Sequence, residues 1–203
     1  MPVFTESELL QAKAPFRRNF LNLISGVRTP FLIGTYDENG ISNLGLFNSV
    51  VHIGANPPLL GFIQRPLTVE RQTYENIKRA SHYTLNAVST SFYKKAHQAS
   101  AKYEKGVSEF NACGFTEKNI ESIDAPFVAE CPIRLGMQLQ EDIAITSNGC
   151  RLVVGKLIYI EIDADISDDE GHFNAASLKL AGVNGLDTYY ALSHINREDY
   201  ART

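Results

Sequence analysis

Three strand-forming segments follow one another between residues 30 and 64, with only short turns between them. Residues 30–36 are rich in strand formers and end at Asp37-Glu38-Asn39-Gly40, which is a hairpin signal. Residues 41–53 are predicted as a second, long strand, and residues 59–64 as an apolar third strand after a Pro-Pro break. Short turns join antiparallel neighbours, whereas parallel strands need a long crossover, so this order predicts an antiparallel sheet.

The rest of the chain adds short helices and further strands. Thr5 and Glu8 form a capping box at the start of a helical segment that we place at residues 1–25. Thr73 is predicted as the N-cap of a helix over residues 73–80, and a second internal helix is expected over 91–103. The remaining predictions are strands at 82–88, 127–145 and 152–162, a turn at 108–115, and a tail at 185–203 that docks through Leu186, Tyr189, Tyr190 and Leu192.

This order of elements predicts a mainly β fold, an antiparallel barrel with short helical excursions. The 203 residues are expected to form a single domain, since domains commonly hold about 150 residues. No Gly-x-Gly-x-x-Gly stands between a strand and a helix, and no Walker motif is present. A nicotinamide cofactor held by a Rossmann domain is therefore disfavoured.

Charge and composition narrow the classes of function. The net charge is −4 and the 19 Lys and Arg residues are scattered, which argues against nucleic-acid binding. No apolar run approaches the ~18 residues of a membrane span, and the N-terminus does not resemble a secretory signal. The three cysteines form no Cys-x-x-Cys pair and the five histidines lack metal spacing, so we expect no metal and a cytoplasmic protein.

The chemically informative stretch runs from residue 43 to residue 76. Asn43, Gly45 and Asn48 put small or polar groups on the second strand, where a flat ligand could lie against the backbone. Arg65 and Arg71 then precede a helix that opens near Thr73. Free amides at a helix start, a hydroxyl and two guanidinium groups together predict a phosphate site.

These segments resemble the flavin reductase-like, FMN-binding split-barrel proteins of the flavoredoxin sort. The resemblance is carried by residues 28–40, 42–66, 71–88, 95–115 and 125–130, and it extends over roughly residues 28–190. Its most specific combination is Asn43-x-x-x-Phe47-x-Ser49, followed by the Pro-Pro pair and then by Arg71-x-Thr73-x-x-Asn76. Two departures stand out: relatives carry an acidic residue where this chain has Gln72, and the tail lacks an Arg-Leu-Gly-Gly stretch.

The resemblance implies a six-stranded Greek-key split barrel that forms a homodimer with FMN at the subunit interface. The side chains that it places along the flavin ring and the ribityl chain are Asn43, Phe47, Asn48 and Ser49. Those that it places near the phosphate are Arg65, Arg71, Thr73 and Asn76. Those that close over the flavin, from this subunit or its partner, are His97, Gln98, Ser100 and Lys102. The pair Glu109-Phe110 is interpreted as loop architecture that could touch the cofactor.

The implied activity is hydride transfer from NAD(P)H to FMN and on to an acceptor, or to a partner oxygenase. Because flavin carries the redox chemistry itself, no catalytic side chain is assigned, and His97 is the one candidate. The alternatives are a flavin-binding carrier or sensor without turnover and, least favoured because no axial ligand is well placed, a haem-binding barrel.

Overall fold

The computed structural model describes residues 1–165 and 168–202. The helices are α1 Glu6–Gln11, α2 Ala14–Ile24, α3 Gln72–Ala80, α4 Tyr93–Gln98 and α5 Glu109–Cys113, with a 3-10 helix at Ala175–Leu178. The strands are β1 Phe31–Tyr36, β2 Ser42–Phe47, β3 Val51–Ala55, β4 Pro58–Gln64, β5 His82–Ala87, β6 Glu117–Ile120, β7 Ile123–Val128, β8 Ile133–Ile145, β9 Cys150–Ile162, β10 Ala181–Asn184 and β11 Thr188–Ala191.

Seven of these strands form one sheet in the order β2-β1-β5-β8-β9-β4-β3. Every pair of neighbours in it is antiparallel, as the short turns predicted. Two further hairpins, β6–β7 and β10–β11, lie outside this sheet. The mainly β fold with short helices is therefore confirmed.

The two edge strands of the sheet, β2 and β3, are consecutive in the chain. Only residues 48–50 separate them, so the sheet has to curl until its edges approach each other. The edges do not pair, which leaves a split in the barrel wall. Counting β2 and β3 as one bent strand gives six members in a Greek-key order, since β1, β2/β3 and β4 run consecutively and β5, β8 and β9 close the far side.

The curled sheet is buried on both faces near β1. Ile33 packs into an interior cluster with Phe62, Tyr83 and Met137, whereas its neighbour Leu32 points the other way. Leu32 belongs to the outer cluster, which α4 and α5 cover with side chains such as Ala96 and Phe110. Helix α3 closes the interior, because Tyr74 and Ile77 belong to the inner cluster.

The N-terminal segment is helical, and the capping box is present. Thr5 Oγ1 accepts from the Glu8 amide, and Glu8 Oε2 accepts from the Thr5 amide at 2.7 Å. Phe4, Phe16 and Phe20 pack with ring centroids 5.1–5.8 Å apart. Neither α1 nor α2 has a buried residue, so the face of this segment is uncovered in the single chain.

Several predicted boundaries are wrong. The long strand at 41–53 breaks at residues 48–50, because Ser49 bonds by its side chain to Ile63 instead of continuing the ladder. The turn predicted at 108–115 contains the one-turn helix α5, and the helix predicted at 91–103 is shortened to α4. The strand predicted at 127–145 is two strands, since Cys131-Pro132 separates β7 from β8. Among the described residues, no helix is long and apolar enough to cross a membrane.

Candidate functional site

A cleft of about 1310 Å³ lies beside β2, at the split in the sheet. All of the predicted binding residues line it except Asn76 and Gln98. Its remaining walls come from the end of α2, the segment that follows α4, and the turn between β10 and β11. Most of the predicted binding residues therefore lie in one cleft, although they belong to four separate segments of the chain.

Asn76 and Gln98 do not line the cleft. Asn76 is 7% exposed, and its Nδ2 donates to Thr35 Oγ1 at 3.0 Å, so it ties α3 to β1 beneath the cleft. Gln98 is exposed at the end of α4, and its Nε2 donates to Tyr103 Oη at 3.2 Å. Each of these two side chains is therefore bonded to a protein partner, and the contact of either with a ligand stays a prediction.

Strand β2 supplies one wall of the cleft, and Gly45 lies at its centre. A Cβ built on Gly45 would stand 2.9 Å from Thr73 Oγ1 and 3.0 Å from the Phe47 ring. Those distances are shorter than ordinary van der Waals contact, so a larger residue would push Thr73 or Phe47 away. Glycine therefore allows the start of α3 to lie close against the strand.

Asn43 is the most heavily bonded side chain of this wall. Its Oδ1 accepts from Thr73 Oγ1 at 2.9 Å and from Thr35 Oγ1 at 3.3 Å. Its Nδ2 donates to Glu109 Oε2 at 3.0 Å and to Gln72 Oε1 at 3.4 Å. An amide has two donor hydrogens and two acceptor lone pairs, so these four partners use its full capacity. Asn43 lines the cleft but supports its wall more than it offers groups to a ligand.

Glu109 is the buried carboxylate behind this wall. It is 5% exposed, lines the cleft, and accepts through Oε2 from the Leu44 amide at 2.9 Å and from Asn43. Burial raises the pKa of the Glu109 carboxyl above its ordinary value, and the two hydrogen bonds oppose that shift. The sequence interpretation of Glu109 as loop architecture missed this link to β2.

The corner at the start of α3 gathers the basic side chains predicted for a phosphate. Arg65 and Arg71 both line the cleft there, and the Arg71 guanidinium donates to the Pro66 carbonyl through Nε and Nη2, each at 3.4 Å. Arg65 is exposed. The first amides of a helix have no intrahelical acceptor, and Gln72 and Thr73, the first two residues of α3, line the cleft.

The predicted capping role of Thr73 is wrong. Helix α3 begins at Gln72 with Arg71 as its N-cap, and no side chain caps it. Thr73 lies one residue inside the helix, and its hydroxyl donates to Asn43 Oδ1 instead of accepting from its own first turn. A tertiary partner therefore replaces the local cap, and it fastens the helix start to β2.

Asn48 and Ser49 hold the corner between β2 and β3. Asn48 Nδ2 donates to the Gly185 carbonyl at 2.6 Å, which joins this corner to the C-terminal hairpin. Ser49 Oγ accepts from the Ile63 amide at 3.1 Å and donates to the Ile63 carbonyl at 3.3 Å. Phe47 lines the cleft and packs edge-on against Phe62, with ring centroids 5.1 Å apart.

His97, Ser100 and Lys102, from α4 and the segment that follows it, also line the cleft. His97 Nδ1 lies 3.1 Å from Tyr189 Oη, and the two rings meet edge to face at 5.6 Å. Burial raises the pKa of Tyr189 to about 12, so its hydroxyl stays protonated at neutral pH. The tail docks through this contact as predicted, but Tyr190 and Leu192 are exposed.

Sequence reasoning missed several charged residues of the cleft. They are Arg28, Glu70, Glu104, Lys105 and Asp187. Lys105 lies 3.7 Å from Glu70 and 4.0 Å from Glu38, so part of this charge is paired at the surface. These residues belong to distant segments and share no local motif. The curling of the sheet and the docking of the tail bring them together.

Outside the cleft, Asp168, Glu170 and His172 bring carboxylate and imidazole atoms within 4.8 Å of one another. All three lie at the surface, and Arg197 approaches both carboxylates, at 3.9 and 3.6 Å. Exposed acidic groups of this kind are common without an ion, so the group carries no assignment.

The sequence matches one known protein family over most of its length. Residues 25–180 match the family described as the flavin reductase like domain. An uncharacterized protein from Halalkalibacterium halodurans is 24% identical over 163 residues, which make up 76% of this chain and 78% of that protein.

Solved structures share the fold over nearly the whole chain. A provisionally assigned flavin reductase with a split barrel domain, from Shewanella frigidimarina NCIMB 400, is 36% identical, with a TM-score of 0.93 and coverage of 99% and 100% of the two chains. Nitrilotriacetate monooxygenase component B from Bacillus cereus is 19% identical, with a TM-score of 0.85 and coverage of 98% of both chains. At that identity the second likeness concerns the fold alone.

Proposed function

Because the chain belongs to the flavin reductase like domain family, we propose that it binds FMN in the cleft and reduces it with NAD(P)H. The observation that carries the proposal is the corner at the start of α3, where Arg65, Arg71 and the first two residues of the helix line one large cleft. Concentrated anionic charge suits such a corner, since amides and guanidinium groups bind phosphate through charge-assisted hydrogen bonds.

The size and chemistry of the cleft fit a flavin mononucleotide. Its volume of about 1310 Å³ exceeds the ~300–1,000 Å³ of common small-molecule pockets, so it has room for a large ligand. Phe47 supplies an apolar surface for a ring, and Asn48 Oδ1 accepts no hydrogen bond from the described residues. Asn43 serves this site by holding its wall.

FMN, when bound, supplies a hydride acceptor, so the protein needs to hold and orient it. Arg65 and Arg71 bind the anionic end, and the start of α3 fixes where that end lies. His97 lines the cleft and is held by Tyr189, so its ring would border a ligand bound there. Hydride transfer to FMN requires no acid–base residue, so no side chain of the cleft is assigned a catalytic role.

We further propose a homodimer with the flavin at its interface. Supporting this, apolar side chains lie exposed on β3 and β9: Val51 is 45% exposed, Ile53 43% and Ile160 58%. Large apolar side chains that stay exposed on a sheet are candidates for an association surface. Light scattering on a sizing column should give twice the 22.5 kDa chain mass, and a concentration-independent monomer would refute the dimer.

The acceptor of the electrons is proposed to be a partner oxygenase or another carrier protein in the cytoplasm. The fold relative from Bacillus cereus is named as a component of a monooxygenase, and that name motivates the oxygenase. The alternatives are a carrier or a sensor, which would bind FMN without oxidising NAD(P)H.

The visible spectrum of the purified protein is the first test, followed by titration with FMN and with FAD. Addition of NADH or NADPH under anaerobic conditions should then bleach the flavin band. Tight FMN binding with no bleaching by either nucleotide would favour the carrier or sensor, and no flavin binding at all would refute the proposal. Arg71→Ala should weaken FMN binding, and Arg18→Ala, an exposed change on α2, is the matched control.

A further inference from the structure

Glu109 and Asn43 form a directional hydrogen-bond chain behind the cleft wall. An ionised carboxylate only accepts hydrogen bonds, so the Asn43 group 3.0 Å from Glu109 Oε2 has to be the amide nitrogen. The Asn43 oxygen is then turned toward α3 and β1. That oxygen accepts the hydroxyl protons of Thr73 and Thr35.

The same chain fixes the first turn of α3. Thr73 is the second residue of this nine-residue helix, and its bond to Asn43 is the side-chain hydrogen bond by which the first turn reaches β2 most closely, at 2.9 Å. If the Asn43 amide were reversed, its nitrogen would face the Thr73 hydroxyl and its oxygen would face a carboxylate oxygen. The second contact pairs two acceptors, which is unfavourable in a buried place.

We propose that Glu109 is a positioning residue for the phosphate end of the cleft, acting through Asn43 on Thr73. It sets the orientation of the Asn43 amide, and the amide holds the helix start where its free N–H groups face the ligand. The inference rests on the proposed function, because it concerns where the phosphate of FMN is held. It assigns Glu109 no contact with the ligand.

Three variants distinguish the loss of the hydrogen-bond acceptor at Glu109 from the loss of its charge. Glu109→Met keeps the length of the side chain but removes the acceptor, whereas Glu109→Gln keeps an oxygen that can accept from both Leu44 and Asn43. Glu117→Met is the matched control. The Glu117 carboxylate accepts at 2.5 Å from Ser42, which lies on β2 like Asn43, but Glu117 does not line the cleft. Each variant is titrated with FMN and with riboflavin, which lacks the phosphate, and its thermal unfolding is measured.

We expect Glu109→Met to weaken FMN binding about 10- to 100-fold, the size of a lost hydrogen bond to a charged group. Riboflavin binding should change less than about threefold, and both Glu109→Gln and Glu117→Met should stay within about threefold of wild type for FMN. In a cycle with Thr73→Val, the double variant Glu109→Met/Thr73→Val should bind FMN no more weakly than the weaker single variant, because both changes break one chain.

Other results would overturn the inference. Equal losses for FMN and riboflavin, additive effects in the cycle, or a Glu109→Gln variant as weak as Glu109→Met would each refute positioning through Asn43. If Glu109→Met does not fold, Glu109→Gln decides, since a tenfold weaker FMN complex refutes the inference and near-wild-type binding supports it. Failure of the wild type to bind FMN would instead refute the proposed function, and this inference with it.

Discussion

Gly155 leaves room for the buried ring of Tyr83 in the barrel interior, and a pair of substitutions tests this packing. A Cβ built on Gly155 would stand 2.2 Å from Tyr83 Oη and 2.9 Å from Tyr83 Cζ. Ordinary contacts begin at 3.4 Å, so Gly155→Ala requires a movement of more than an ångström in a fully buried ring. Overpacking of this kind costs about 1–3 kcal/mol, and the full burial of the ring favours the upper end.

The Tyr83 hydroxyl has no hydrogen-bond partner among the described residues, and burial raises its pKa. An unpaired buried hydroxyl costs about 1–3 kcal/mol, so Tyr83→Phe should leave stability unchanged or raise it by about 1 kcal/mol. The same change should relieve Gly155→Ala, because the nearest atom moves back from 2.2 Å to the ring carbon at 2.9 Å. The double variant should recover about 1–2 kcal/mol of the loss.

Urea unfolding of the four proteins measures the free energies, and thermal unfolding checks them. At this chain length, 1 kcal/mol corresponds to about 2–4 °C in Tm. Additive free energies would show that the two groups do not touch, and a Tyr83→Phe variant destabilised by more than about 1 kcal/mol would show that the hydroxyl is paired. Either result refutes the packing described for the interior.

Arg71→Ala should weaken FMN binding by about 1.5–3 kcal/mol while leaving riboflavin binding nearly unchanged, as isothermal titration would show; equal losses for both ligands would place the phosphate elsewhere. Hydrogen bonds from Arg134 and Lys118 lower the pKa of Glu161 to about 2, so its stabilising effect is present above pH 4.5 and is lost as the pH falls toward 2. Glu161→Gln should therefore flatten the stability curve between those pH values by roughly 1 kcal/mol, and an unchanged acid limb would contradict it. Tyr189→Phe removes the bond to His97, so amide hydrogen exchange over residues 181–191 should accelerate while Tm changes little, and an unchanged exchange rate would show that the contact does not hold the hairpin.

The fold was predictable where local signals agree with tertiary structure. The Asp-Glu-Asn-Gly turn and the Asn148-Gly149 turn both join antiparallel strands, and Gly40 and Gly149 have the positive φ values that such turns require. The break at residues 48–50 was not predictable, because strand formers continue on both sides of it. It exists because Ser49 and Asn48 bond to residues 14 and 137 positions away.

Local sequence signals also predicted only part of the candidate site. Arg65, Arg71 and Thr73 were identified because they are close in sequence, and they share the cleft. The role of Thr73 was misassigned, since a local cap competes with Asn43, which lies 30 residues earlier. Glu109 carries no local sign that its carboxylate reaches β2, 65 residues away, so its position depends on the whole barrel.

The four partners of Asn43 bear on any attempt to redesign the cleft. They come from β1, the first turn of α3 and α5, so this one amide joins three elements to β2. A library that varies Asn43 alone leaves its neighbours with unmatched donors and acceptors, and most of its members would be lost to misfolding before ligand preference could be selected. Productive diversity has to be introduced at Thr35, Asn43, Gln72, Thr73 and Glu109 together, as one combinatorial block.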